Sequence, residues 1–531
     1  MTYEKPQFIL DYKKPKNTEI KHINGHWYLY ERMSVYNPKT KKMKKKSGKC
    51  LGKITQEGFI ASQIKVDPKA YEDIEVKEIG LSSFLYNRNR KVIEKLERLF
   101  PDIYREIFTI AAIRLGYNPR FKRISESYDT SILSELFPNL KLESSDITSL
   151  LKTIGKRSSA IKEFMKEGTD SLSSYMVFDG HRIISDSNNL EMASIGYDSK
   201  GRHKSQVNLV YAFSVSGERC FPYYYKQFSG DVPDITAFSS LIDEAAIKKE
   251  DLTILADKGF SSEDNFSLIE ETGFKYIVPL KRNAEDSKEN IPALMSEYDN
   301  SFTYNSRAIL HKQVKKDGYM IHIFQDSVLL ADELSDITLR MEKKNKTIEL
   351  MIEKEQGRIA KGKKRRLTDE ELENLKPISF KECLEDKASM GTITLRTNNL
   401  SLNGSQVYNL YKRREAIEDF FKSYDNSLDF SSSYMRNRYS EEAWLFFNHL
   451  SAIMAFDILD EIYQLGQTNQ ISLSDFRTTL SHIFADKING TWKLAKITKK
   501  KEGFISLFDL NFCSVLNELN GKKTEADNNN N

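Results

Sequence analysis

Between Tyr175 and Asn283 the chain alternates short apolar runs with amphipathic stretches, and two of the runs end on an aspartate. The first is Tyr175-Met176-Val177-Phe178-Asp179, and the second runs from Leu252 to Ala256 and stops at Asp257. Val207 to Val215, Cys220 to Phe228 and Lys275 to Pro279 read as further strands, with helices over Ile235 to Ile247 and Glu263 to Thr272. Apolar runs of this length, separated by helical periodicity, form a mixed sheet covered by helices. A carboxylate at the end of such a strand is held rigidly, as a metal site requires. Asp186, Asp198, Asp231 and Asp234 lie in more polar surroundings and are assigned turn or cap roles.

A second constellation lies from Tyr411 to Asp425. Counted from Glu418, Tyr411 is at i−7, Arg414 at i−4, Lys422 at i+4 and Asp425 at i+7, so a helix projects all five from roughly one face. Ile417, Phe420 and Phe421 would bury the other side. The plain reading of Arg414 and Glu418 is a surface ion pair worth a few tenths of a kcal/mol. The functional reading is an acid able to hold a divalent cation, flanked by a phenol, a guanidinium and an ammonium able to hold phosphates. The two upstream aspartates favour the latter.

With these residues in order, the chain resembles the DDE-type transposases of bacterial insertion sequences, and within them the group with a Tyr-Arg-Glu-Lys signature. Tyr411, Arg414 and Glu418 fit the signature in register, whereas Asp425 stands where its lysine should be. Asp257-Lys258-Gly259-Phe260 is similar to the Asp-x-Gly-Phe/Tyr element of the second aspartate. Ser229-Gly230-Asp231-Val232-Pro233-Asp234 is similar to the Pro-Gly-Asn-x-x-Asp segment between the aspartates, with serine and aspartate replacing proline and asparagine. The likeness runs from about Tyr175 to His449.

The resemblance implies an RNase H-like mixed sheet with flanking helices, interrupted before the glutamate by a β-rich insertion. It implies Asp179, Asp257 and Glu418 as catalytic residues and ligands of two Mg²⁺ ions, with Mn²⁺ as a substitute, and Tyr411 and Arg414 as phosphate grips. The expected partners are double-stranded DNA, as terminal inverted repeats and as target, and a second copy of the chain in the DNA complex. Lys422, one turn closer to Glu418 than the missing lysine, either takes over that role or is a solvent-facing lysine paired with Asp425 or Glu418. A nuclease that only cuts and a silent DNA-binding relative are the competing readings.

The flanking segments set out the remaining organisation. Residues 1–80 form a small basic β module: Trp27, Leu29, Met33 and Val35 alternate with Tyr28, Tyr30, Arg32 and Tyr36, a turn follows at Asn37 to Thr40, and Lys41 to Lys49 begin a cationic return strand. Lys44, Lys45 and Lys46 are either DNA contacts or lysines guarding a solvated edge. Residues 81–170 are helical, including a helix after Pro101-Asp102, one near Asp146 to Ile154 capped by Ser145, and one at Ser159 to Met165. The last two carry Lys152, Lys156, Arg157 and Lys162, as a DNA-reading helix pair or as a plain helical subdomain. The core spans 171–283 and 401–465, with an insertion subdomain at 284–400. Within it Phe302 to Ile309 and Tyr319 to Phe324 read as strands, Asp336 to Ala360 as a long helix, and Gly391 to Asn398 as a strand. Lys363, Lys364 and Arg365 sit in a basic loop, followed by a capping box at Thr368 and Glu371. A helical region at 466–520 and a disordered tail at 521–531 complete the chain.

A net charge of only +4 over 531 residues places any nucleic-acid affinity in such local clusters. Four scattered cysteines without a Cys-x-x-Cys pair fit a reducing cytoplasm and argue against structural zinc, and the resemblance implies a bacterial one. The start of the chain lacks a signal peptide's pattern, and the apolar stretch Ala443 to Leu459 is broken by Asn448, His449 and Asp457, so neither export nor a membrane span is expected. Neither a Gly-x-x-x-x-Gly-Lys-Ser/Thr loop nor a His-Glu-x-x-His pair occurs, so no nucleotide cofactor is expected.

Overall fold

The computed structural model describes residues 5–529 except 38–41, 57, 62–73, 168–172, 186, 188, 191, 196–203, 217–218, 233, 246, 248–251, 365, 385–388, 415–416, 418–431 and 469. The chain divides into two compact units, 1–76 with 486–493, and 77–485 with 494–531.

The first unit carries an antiparallel meander of β1 (Thr18–Ile23), β2 (His26–Asn37), β3 (Lys42–Thr55) and β4 (Gly58–Ala61). Trp27 and Leu29 meet Ile9 and Ile54 in its core, as their alternation predicts. The alternation fails further along β2: the pairing with β3 slips on either side of Tyr30, and Met33 is half exposed rather than buried. Beyond that irregularity Met33 and, on β3, Met43 are exposed. Lys42, Lys45, Lys46 and Lys49 are exposed, whereas for Lys44 only its place opposite Val35 is described.

At β5 (Glu75–Glu78) the chain passes from the first unit to the second. The second unit is built on an eleven-stranded sheet. Its members are β6 (Tyr175–Ser185), β7 (Ser194–Ile195), β8 (Ser205–Ser216), β9 (Arg219–Ser229), β10 (Thr253–Leu255), β11 (Lys275–Pro279), β12 (Asn300–Tyr304), β13 (Arg307–Lys315), β14 (Met320–Asp326), β15 (Thr392–Thr397) and β16 (Ser432–Ser433). The order is β12-β13-β14-β15-β11-β10-β6-β8-β7, with β9 also on β8 and β16 also on β6. β10 runs parallel to both β6 and β11, so the centre is parallel and the flanks antiparallel. β8 is buried from Gln206 to Val215, the mark of a strand covered on both faces. On one face Phe178 packs edge-on to Phe238 of the helix Asp234–Ala245, ring centres 4.9 Å apart. On the other, His449 and Phe456 of the helix Arg438–Gln464 lie over Tyr211 and Phe213.

The strands of the insertion are hydrogen-bonded into this same sheet through β15 on β11. The run expected as one strand over Phe302 to Ile309 is two, because Asn305 and Ser306 take φ of 46° and 63° and turn the chain back on itself. The long helix is longer than expected, Ser327–Ala360, because Asp326 caps it from Val328 and Leu329. The capping box at Thr368 and Glu371 forms as read.

In the helical region, Ser145 lies inside the helix Ser144–Gly155 rather than at its cap. Arg157 spends its charge on Asp102 at 2.5 Å and Lys162 on Glu244 at 3.1 Å, which favours the structural reading of that pair of helices. The segment from 521, expected to be disordered, continues the helix Cys513–Asn529. No helix among the described residues is long and apolar enough to cross a membrane.

Candidate active site

The parallel pairing of β10 with β6 sets the geometry of the two aspartates. Val177 is level with Leu255, and Asp179 and Asp257 each lie two residues further along. Asp257 keeps an extended backbone, φ −82° and ψ 175°, so it continues the line of its strand. Side chains two apart share a face, so the register carried on by two residues puts positions 179 and 257 at one level on one face of the sheet. That face is opposite Phe178 and therefore the one overlaid by Arg438–Gln464.

Each aspartate is held by its surroundings. Asp257 caps a short turn, Lys258–Phe260, by accepting the Gly259 amide at 2.7 Å with Oδ1. A Cβ at position 259 would stand 2.8 Å from that oxygen, which is why the position suits glycine. Phe260, buried against Phe238, anchors the turn. Asp179 receives Arg414 Nη2 at 3.4 Å, a contact between side chains that are both largely buried. The arginine four residues before Glu418 is thus brought 235 positions back along the chain to the first aspartate.

Arg414 rides on a helix over residues 404–414, with Tyr411 half-buried on it and Ile417 buried beyond. Tyr408, one turn before Tyr411 and Lys412, is locked to the insertion strands. Its hydroxyl donates to Asp326 at 2.7 Å, Asp326 also meets Arg307 at 2.9 Å, and its ring packs on Phe302, Tyr304 and Phe324. Burial first, then the neighbouring carboxylate, pushes the Tyr408 hydroxyl's pKa up, so it stays a donor. Gly404 lies so close to the His311 ring that a Cβ would stand 2.2 Å from it. His311 in turn is hydrogen-bonded to His322 at 3.0 Å, and burial keeps both imidazoles neutral by lowering their pKa, His322 to about 4. The insertion therefore seats the helix that carries Arg414. Sequence reading missed Asp326, Arg307 and Tyr408. An aspartate before Val328-Leu329-Leu330 is a readable helix cap, but its partner 82 residues away has no local signal.

Glu418, Lys422 and Asp425 lie outside the described residues, as does Arg365. Among the described residues no three His, Cys, Asp or Glu side chains form a group able to hold a metal ion. The two aspartates offer hard oxygen donors at one level, a set that fits Mg²⁺ or Mn²⁺. Lys363 and Lys364 are exposed in a loop tied to the long helix by Arg358, which donates to the Lys364 carbonyl at 2.7 Å. Lys45 and Lys46 belong to the other unit. Asp231 sits in a turn and exchanges hydrogen bonds with Ser194 at 3.0 Å, in keeping with a structural role.

No curated protein matches the chain. The family of the transposase DDE domain matches residues 177–454, a span of more than half the chain that opens two residues before Asp179 and takes in Asp257 and Arg414. With a match over more than half its length, the chain belongs to the DDE transposase family.

Proposed function

We propose that this transposase cuts DNA at the ends of a mobile element and joins the freed 3′ ends to target DNA, with Asp179, Asp257 and Glu418 as its catalytic carboxylates. The single observation that carries the reading is the level placement of Asp179 and Asp257 on adjacent parallel strands, with Arg414 against Asp179. When bound, a pair of Mg²⁺ or Mn²⁺ ions would supply the charge neutralisation and the activated water or 3′-hydroxyl that phosphodiester exchange needs. The carboxylates hold that charge at a fixed place, because one is mid-strand and the other is fixed by the Gly259 amide. Arg414, two-pronged and permanently charged, orients a non-bridging phosphate oxygen beside Asp179, and Tyr411 grips a neighbouring phosphate.

Lys422 stands in for the signature's lysine, one helical turn closer to Glu418. Lys422→Ala then lowers strand joining more than tenfold, about 1.4 kcal/mol or more, without unfolding the chain. The exposed lysines at Lys42, Lys45, Lys46 and Lys49, and those at Lys363 and Lys364, hold duplex backbone outside the cut. Two copies of the chain act together on two ends. The protein works in the bacterial cytoplasm.

The test is incubation of the purified protein with Mg²⁺, duplexes carrying the inverted repeats that flank its gene, and a supercoiled target. Joined products, absent with Asp179→Ala or Asp257→Ala, support the proposal. Nicked ends that never join would reduce the activity to hydrolysis, and binding without cutting would leave only a DNA-binding protein.

A further inference from the structure

Towards its far end the β2–β3 hairpin of the first unit narrows to two strands. β1 pairs with β2 as far as Glu31, the Arg32 amide donates to the Asn17 carbonyl at 2.7 Å, and β4 pairs with β3 over Gly52 to Thr55. Past those points β2 and β3 pair with each other alone among the described residues, from Arg32 opposite Ser47 to Asn37 opposite Lys42. Six residues of antiparallel strand span about 20 Å, the rise of about six base pairs. A two-stranded ribbon is marginal in water by itself and gains from a surface that holds both strands. From Arg32 to Lys49 the sequence has eight Lys and Arg and no Asp or Glu, so the surface that fits it is a polyanion.

The two faces of the ribbon differ. Cross-strand partners share a face, so Arg32 and Ser34 stand with Ser47, Lys45 and Met43 on one, and Met33 stands with Lys46 and Lys42 on the other. On the first face Arg32, Ser34, Lys45 and Met43 are exposed, Met43 to 62%. Glu19, at the foot of this face, accepts the Ser47 hydroxyl and pairs with Lys21 at 3.4 Å, while Arg32, 3.9 Å from it, keeps a side chain 43% exposed. A guanidinium, a hydroxyl and a thioether in one row match base edges: the fork fits O6 and N7 of guanine, the hydroxyl fits a donor or an acceptor, and an apolar group fits the thymine methyl. Those edges lie in the major groove, about 12 Å wide and able to admit a two-stranded ribbon, whereas the minor groove, about 6 Å wide, shows none of these three atoms. We propose that the ribbon enters the major groove of duplex DNA with Arg32, Ser34 and Met43 against the bases and Lys42, Lys45 and Lys46 on the phosphates of the groove walls. The inference rests on the reading of the chain as a transposase and adds base readout to its grip on the backbone. Met43 lies opposite Tyr36, four residues along from Arg32, so its thymine falls about four base pairs from the guanine of Arg32.

The test measures binding of the full-length protein, without Mg²⁺, to duplexes carrying the inverted repeats that flank its gene, so that it does not depend on cutting. Methylation of guanine N7 should block binding at a discrete base pair contacted by Arg32. Deoxyuridine in place of thymine, which removes only the C5-methyl, should weaken binding at a second base pair about four away. Arg32→Ala should lose the first effect and Met43→Ala the second, each binding the unmodified duplex about tenfold more weakly. Both side chains are exposed, so both variants should keep the wild-type circular dichroism. Lys46→Ala should weaken every duplex alike and leave both patterns intact, as a phosphate contact does. An Arg32→Ala or Met43→Ala protein whose pattern matches the wild type's would confine the ribbon to the backbone and overturn the proposal. A protein that shows both patterns yet never cuts keeps the ribbon in the groove and refutes only the activity.

Discussion

Removing the Asp326 carboxylate should destabilise the second unit more than any other single change near the site. Asp326 is 1% exposed and does three things at once: it caps a 34-residue helix, accepts the Tyr408 hydroxyl, and pairs with Arg307. Loss of a cap costs about 1 kcal/mol. Breaking a buried pair costs about 3 to 5 kcal/mol, here nearer the lower figure because the Arg307 side chain is 25% exposed. Asp326→Ala should thus cost about 4 kcal/mol, a large share of a typical domain's stability. Asp326→Asn keeps the capping oxygen and should cost about 2 kcal/mol, and Tyr408→Phe, losing one bond to a charged acceptor, about 2 kcal/mol. Because both act on one oxygen, the double variant should fall short of their sum. Urea unfolding followed by far-UV circular dichroism, with DNA-end cleavage measured on the same samples, reads both effects. An Asp326→Ala cost below about 1 kcal/mol, or strict additivity of Asp326→Asn and Tyr408→Phe, would refute the claim that this network seats the helix carrying Arg414.

Gly259→Ala should lower cleavage about a hundredfold with little loss of stability, since the new Cβ pushes on Asp257 Oδ1 from 2.8 Å while the position itself is exposed; parallel kinetics and thermal melts check this. Burial pushes the Glu441 carboxyl from 4.5 up to about 7, so the folded chain holds a proton the unfolded chain releases, and stability falls as pH rises from about 4.5 to about 7. Glu441→Gln should therefore stabilise by about 3 kcal/mol at pH 8 and by almost nothing at pH 4.5, as read by urea titrations at both values. Neutralising Lys45, Lys46 and Lys49 together should weaken duplex binding and flatten its dependence on salt; an unchanged slope of log affinity against log salt would make them solvated surface only.

The core of the second unit was readable because its strands are apolar runs of ordinary length and its turns carry ordinary turn residues. The level placement of Asp179 and Asp257 was not, since register between strands 78 residues apart depends on packing. The element Asp257-Lys258-Gly259-Phe260 was legible, and its physical basis is one amide bond, one close approach and one buried ring. In the insertion, the hairpin at Asn305 and Ser306 was hidden because serine seldom signals a left-handed turn. In the first unit, alternation set Met33 on the same side as Trp27 and Leu29, but the pairing slips around Tyr30 and Met33 is half exposed. The lysines of that hairpin kept both their readings in the sequence, because exposure alone does not name a partner.

The claim that Asp179 and Asp257 share a divalent-metal site can be tested without turnover. Fe²⁺ substituted for Mg²⁺, with ascorbate and peroxide, generates hydroxyl radicals that cut the backbone close to the bound ion, and mass spectrometry maps the cuts. The account predicts cuts near Asp179 and near Asp257, suppressed by excess Mg²⁺ and lost in Asp179→Ala and Asp257→Ala proteins that retain native circular dichroism. Cuts at only one of the two strands, or a pattern unchanged by either substitution, would contradict it.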